Sequence, residues 1–300
     1  MNKYKLLIEK NNLKVNKVTI KGKATIIDTP LGKFVLKDNK GIKIYDYLLS
    51  RGFNYFPNII DYDSEGVIFE YIDNIDYDIN LKSKDFIKLL SLLHVKTSCF
   101  LDKNDYEMIF DSLNKKIDDL YNYYNSLVDN IESKEFTSPS EYLLLRNTSI
   151  ILSSINYSKE KLKEWYDKNS NNKKRVVTLY NNIDLNNLLK SKDKMCLISF
   201  DNVIVDSPIY DLYNFYNKYY LFIDFYSLLN VYENHFPLLD SEIELLLILI
   251  SIPEKIIIKD NTISNFIDIN NKIIKIYKSL DILNLKEEKR SNTHENKDNK

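Results

Sequence analysis

Residues 175–212 read RVVTLYNNIDLNNLLKSKDKMCLISFDNVIVDSPIYDL, and the reading of this stretch decides the fold. Val176 to Leu179 and Met195 to Phe200 are short apolar runs of strand type, and the loop YNNIDLNNLL lies between them. After Asp206-Ser207-Pro208 a helical pattern begins at about Ile209 and runs to Tyr220. The segment is therefore strand, polar loop, strand and helix, and its surroundings determine what kind of protein carries it.

Towards the N-terminus the pattern is that of strands. From 15 to 37 the apolar residues alternate: Val18 and Ile20, Ala24 with Ile26 or Ile27, then Phe34 and Leu36. Gly22 and Pro30-Leu31-Gly32 interrupt them, which predicts a three-stranded antiparallel meander. All five glycines fall in the first 66 residues, near predicted turns or helix ends, and mark this region as turn-rich. Ile42, Tyr45, Leu48 and Leu49 share one helical face before Gly52, and after Pro57 the runs NIIDYD and GVIFEYID read as a further hairpin. Residues 1–73 are thus expected to form a β-rich N-lobe in the order β-β-β-α-β-β, and 74–82 a polar connection.

Beyond the connection, helical spacing dominates. Phe86, Leu89, Leu90 and Leu93 mark a helix over 84–98. From about Asn104 the residues Ile109, Leu113, Ile117, Leu120, Tyr124, Leu127 and Ile131 recur every three or four positions. Ser138-Pro139-Ser140-Glu141 is a capping box with proline at the first helical position, and it opens a second long helix to about Asp167. Together they predict a helical hairpin over 104–168. Helices at 224–235, 241–250 (with Ser241 and Glu244 as another capping start) and 264–283 complete a helical lobe over 83–283. The closing KEEKRSNTHENKDNK has almost no apolar residue, so 284–300 is expected to be disordered. The fold class is α+β.

With 300 residues and 44% apolar side chains the chain can bury a substantial core. Its 42 basic and 43 acidic residues give a net charge of -1, which supplies no overall field for nucleic acid or an anionic membrane, and neither is expected as a partner. Cys99 and Cys196 form no metal-ligand or disulfide pattern, no apolar leader is read at the N-terminus, and the longest apolar run, Leu245 to Ile250, is far below the roughly 20 residues of a membrane span. A cytoplasmic location is expected. Among the dispersed histidines, His94 ends an apolar helix and His235 precedes Phe236-Pro237, so no histidine-based site is indicated. Lys173-Lys174-Arg175 reads as a solvated basic loop.

A β-rich lobe, a helical lobe and one strand-loop-strand segment near residue 180 together resemble the aminoglycoside phosphotransferase and choline kinase-like family, and within it the kinase-like proteins associated with bacterial spore coats. The resemblance spans about residues 15 to 280 and rests on KFVLK, the helix end LLSLLH, YNNIDLNNLL, LISFD and DSPIYDL, in that order and spacing. It implies a two-lobed protein kinase-like fold, with a small antiparallel β N-lobe and a large, mainly helical C-lobe.

The resemblance also assigns positions. A lysine on the third strand of such kinases holds the nucleotide phosphates, and Lys37 stands at that place, with Asp46 the only acid on the following helix to orient it. The family's catalytic loop reads H-G-D-x-x-x-x-N, and the aligned residues are Tyr180, Asn181, Asn182 and Asn187. Asn187, a metal-binding position, matches. Asn182 replaces the aspartate that takes the acceptor's proton, and an amide oxygen is not basic enough to do so; a general base is worth roughly 10²–10⁴ in rate. Ser199 stands where the Mg²⁺-binding aspartate is expected, and Asp201, two residues on, is the nearest carboxylate for a displaced metal contact with Asn187. His94 and Asp211 are expected in structural roles, packing beside the catalytic loop and tying a helix start to it. Gly22 between Lys21 and Lys23 is a place to meet a phosphate.

The expected function is therefore a catalytically impaired kinase-like protein, a pseudokinase acting as a binding or scaffold protein. It would hold a nucleotide such as ATP without productive Mg²⁺, or a protein partner, as in spore-coat assembly. The alternative is an active ATP-dependent phosphotransferase with an alcohol acceptor, in which Asp184 or Asp201 takes a displaced role. A third reading, a structural protein with no ligand, is favoured if the cleft between the lobes is filled by side chains.

Overall fold

The computed structural model describes residues 2–259 and 262–298, with side chains from Lys3 to Lys286. A helix not expected from the sequence, α1 (Lys5–Lys10), comes first. The expected meander follows as β1 (Lys17–Lys21), β2 (Ala24–Thr29) and β3 (Gly32–Asp38), then α2 (Ile42–Ser50), β4 (Ile59–Tyr62) and β5 (Gly66–Glu70). The five strands form one antiparallel sheet in the order β1-β2-β3-β5-β4.

Strand alternation sorts the two faces of this sheet. Ile27, Leu36 and Ile68 bury on one face against Tyr4, Leu7, Ile8 and Leu13 of the N-terminal segment. Ile26, Val35 and Phe69 stand directly opposite one another and turn to the other face, and Lys37, two residues beyond Val35, turns with them. Tyr45 of α2 packs against Phe69 and Phe56, at ring-centroid distances of 5.5 and 4.9 Å.

Helix α3 (Ile79–Thr97) starts five residues before the expected 84, because Asp78 caps it by accepting hydrogen bonds from the Asn80 and Leu81 N–H groups. Part of the expected connection 74–82 is therefore helix, and Lys82 falls on the same face as Phe86, Leu89 and Leu93. The helical hairpin forms as α4 (Tyr106–Glu132) and α5 (Pro139–Asn169), after a short strand β6 (Cys99–Leu101) that the sequence did not signal. The expected capping box is present: the Ser138 hydroxyl accepts from the Glu141 N–H, and the Glu141 carboxylate accepts from the Ser138 N–H.

The deciding stretch folds as β7 (Lys174–Leu179), β8 (Leu188–Lys190), β9 (Met195–Leu197) and β10 (Ile204–Asp206), with a 3-10 turn over Leu185–Asn187. β7 pairs antiparallel with β6, and β8 with β9. Helices α6 (Ile209–Tyr219), α7 (Phe225–His235), α8 (Asp240–Ser251) and α9 (Thr262–Asp298) complete the chain. The expected Ser241/Glu244 start of α8 is not used. The Glu242 carboxylate instead accepts from the Leu239 N–H at 2.9 Å, while the Ser241 carbonyl accepts the Trp165 indole N–H at 2.8 Å. α9 runs through most of the stretch expected to be disordered, and near its beginning Lys286 is buried and paired with Glu233. Asn299 and Lys300 of that stretch lie outside the described residues.

By density of contacts the chain divides into two compact units, Met1–Ser98 with Val177–Val205, and Cys99–Val176 with Asp206–Lys300. This division departs from the lobe boundaries expected at 73 and 83, since α3 and the loop after β7 group with the sheet. In the helical unit the basic run is not a solvated loop. Lys174 is buried between Asp105 and Asp206, each at 2.7 Å, and Arg175 pairs with Glu242 while its guanidinium lies 4.2 Å from the Phe236 ring centroid. Among the described residues no helix is long and apolar enough to cross a membrane.

Candidate functional site

The candidate site lies wholly within the sheet-containing unit. Lys37 leaves β3 on the face away from α1, and its ammonium donates to the Ser199 hydroxyl at 3.0 Å, joining residues 162 positions apart. Ser199 adopts φ +66° and Asn181 φ +50°. Both lie in the left-handed region that side chains other than glycine rarely adopt.

Tyr180 is fully buried. It meets Phe86 and Phe200 edge-on at 5.9 and 5.1 Å, and its hydroxyl donates to the Ile198 carbonyl. Phe200 also packs edge-on against Tyr45, Phe53 and Phe56. An aromatic cluster therefore clamps the LISFD segment between α2 and the loop, and Tyr180 is one of its packing residues.

Side-chain amides hold the rest of the loop. Asn182 donates its Nδ2–H to the Ser199 carbonyl at 2.9 Å, Asn187 donates to the Asn182 carbonyl at 3.0 Å, and Asn181 to the Asn202 carbonyl at 3.1 Å. The Ile198 N–H donates to the Asn187 carbonyl at 3.0 Å. Asp184, the alternative catalytic acid, accepts from the Asn186 N–H and caps the 3-10 turn. Asp201 is exposed. Lys37, Tyr180, Asn182, Asn187 and Ser199 are thus joined in one hydrogen-bonded network.

A cavity of ≈ 640 Å³ opens beside this network. Ile26, Val35 and Phe69 of the sheet, with Leu189 and Ile198, make its apolar walls, and the backbone segment Glu70 to Ile72 forms one side. Lys21, Lys23, Lys37 and Lys82 line it, whereas its one lining carboxylate, Glu70, is occupied by Asn58 and Lys194. A cavity of this volume with apolar walls and a few convergent charges suits a small organic anion.

Burial pushes the Lys37 ammonium below the ordinary lysine range; the Asp201 carboxylate acts in the opposite sense, and Lys23 adds to the lowering. Burial, and then the field of Asp201, push the Tyr45 hydroxyl above the tyrosine range, against a hydrogen bond from the Phe200 backbone. Asp46, the expected orienting acid, is exposed on α2. The residue that α2 turns into the site is Tyr45, which brings no charge.

The donor set does not suit Mg²⁺. The Ser199 hydroxyl, neutral and already accepting from Lys37, stands where a carboxylate would be needed, and Asn187, whose Nδ2–H donates to the Asn182 carbonyl, offers only its Oδ1. Among the described residues no group of three or more His, Cys, Asp or Glu side chains is gathered as for a metal ion. Of the other expected residues, His94 is buried in α3 and Asp211 is buried in α6 of the helical unit. Sequence reading missed Tyr45 and Lys82. The signal for Lys82 was present: a lysine four residues before Phe86 and seven before Leu89 stands on an apolar face.

Comparison with solved structures finds an aminoglycoside phosphotransferase from Alicyclobacillus acidocaldarius subsp. acidocaldarius at 11% identity and TM-score 0.65, covering 91% of this chain and 92% of that one. The AMP-bound complex of spectinomycin phosphotransferase APH(9)-Ia follows at 13% identity and TM-score 0.51, covering 91% and 98%. No protein-family model matches the sequence, nor does any curated protein. The chain has an α+β, protein kinase-like fold of the kind found in aminoglycoside phosphotransferases, with a small antiparallel sheet and a large helical part. At these identities the likeness is one of fold.

Proposed function

We propose that the chain is a nucleotide-binding protein of kinase-like fold in which phosphoryl transfer is impaired. The observation that carries this reading is the side chain at the catalytic-base position. Asn182 points an N–H donor at the Ser199 carbonyl, so the group that should accept a proton is built into the loop as a hydrogen-bond donor. Loss of a general base costs about 3–5 kcal/mol of transition-state stabilisation, and the missing metal carboxylate compounds it.

The cavity supports retention of the ligand. Ile26, Val35, Leu189 and Ile198 supply apolar surface for a planar base, and the lysines supply counter-charge for phosphate. The fold neighbour spectinomycin phosphotransferase carries AMP, which favours the same ligand class here. The competing reading is an active phosphotransferase, and the observation in its favour is the field that Asp201 exerts at Lys37. A scaffold role in spore-coat assembly, with a protein partner, rests on the resemblance of the motif words alone.

A thermal-shift titration with ATP, in EDTA and again with Mg²⁺, tests the proposal. Stabilisation is expected in both, without a requirement for metal. Absence of stabilisation in both sinks nucleotide binding and leaves a scaffold.

A further inference from the structure

Four lysines are buried among the described residues: Lys82, Lys174, Lys275 and Lys286. Three of them have an acid in contact, Lys174 with Asp105 and Asp206, Lys275 with Glu254, and Lys286 with Glu233. Lys82 has none, although it is only 9% exposed. The nearby acids are engaged elsewhere: Asp78 caps α3, Asp85 accepts from Lys190 and Tyr77, and Glu70 is held by Asn58 and Lys194. Lys82 lines the cavity, so its charge is available there to a ligand. The Lys82 ammonium is not sealed from solvent, and an anionic ligand in the cavity would meet it with no competing carboxylate.

The same cavity lacks metal carboxylates and has Lys37, Lys21 and Lys23 on the strands beside it, with Gly22 between the last two at φ +60° and open space where a Cβ would stand. No acid pairs with Lys21 or Lys23 among the described residues. We infer that this cavity takes a nucleotide polyphosphate without a divalent cation, and that Lys82 is the buried contact for one of its anionic oxygens while Lys37, Lys21 and Lys23 neutralise the remainder. The inference rests on the reading of the cavity as a nucleotide site and adds the form of the ligand and the residue that selects it.

Isothermal titration of the full chain in EDTA with ATP, and with tripolyphosphate as the bare anion, provides the test. It is carried out on the wild type, on Lys82→Met and on Lys43→Met, an exposed lysine of α2 outside the cavity. The wild type should bind both probes. Lys82→Met should weaken each about 10-fold, while the Tm of the ligand-free protein stays within about 1 °C of wild type. Lys43→Met should change neither quantity. Undiminished affinity in Lys82→Met overturns the inference, as does a fall in affinity accompanied by a fall in Tm, which marks a structural lysine. Binding of ATP by the wild type only with Mg²⁺ also overturns it but leaves the nucleotide reading standing; binding under neither condition removes both.

Discussion

At the scale of one residue, Asn182 is tied into the loop by its side-chain amide. Its Nδ2–H meets the Ser199 carbonyl at 2.9 Å, so Asn182→Asp replaces a donor with an acceptor facing another acceptor. That variant should lose about 1–3 kcal/mol of stability in a denaturant melt and gain no turnover while Ser199 remains. Lys37 gives a second expectation. Its pKa is lowered on folding from 10.5, chiefly by burial, so its charged form penalises the folded state at neutral pH. The penalty is full below the lowered folded value and fades as pH rises through that value towards 10.5. The stability of wild type relative to Lys37→Met should therefore improve as pH is raised over that window, as read from urea melts at successive pH values. A difference independent of pH contradicts the assignment.

At the scale of the element, legibility followed length and capping. The α4–α5 hairpin was readable because its apolar spacing runs over several turns and Ser138 and Glu141 close a reciprocal cap. Helix α1 and strand β6, of six and three residues, are too short to display a period. The start of α3 was misplaced because Asp78 sits in a polar run that reads as a connection, and this concealed Lys82. Charge was the poor guide in α9, where Lys286 is buried against Glu233. Packing at two elements invites direct tests. A Cβ added at Gly66 of β5 meets the Tyr4 ring at 2.6 Å, so Gly66→Ala should cost about 1–3 kcal/mol in thermal or denaturant unfolding. Arg175 and Glu242 are both nearly buried, at 10% and 6% side-chain exposure. Arg175→Met strands the carboxylate and should cost about 3–5 kcal/mol, whereas a loss near zero denies the pair a structural role.

For the molecule as a whole, the order of motif words carried the fold and brought Lys37, Tyr180, Asn182, Asn187 and Ser199 to one place across 162 residues of sequence separation. The words could not show that α2 presents Tyr45 in place of an acid, since which helix residue faces the cavity depends on how α2 is rotated against Phe56, Phe69 and Phe200. Nor could they show that Asn182 and Ser199 are hydrogen-bonded into the loop. The central claim is that this site keeps the architecture for a nucleotide while lacking the groups that move phosphate. Its most direct test is conversion of ATP labelled in the γ-phosphate, under protein excess with saturating Mg²⁺. The account predicts no conversion above the protein-free control over hours; Mg²⁺-dependent conversion that Asp201→Ala abolishes would contradict it.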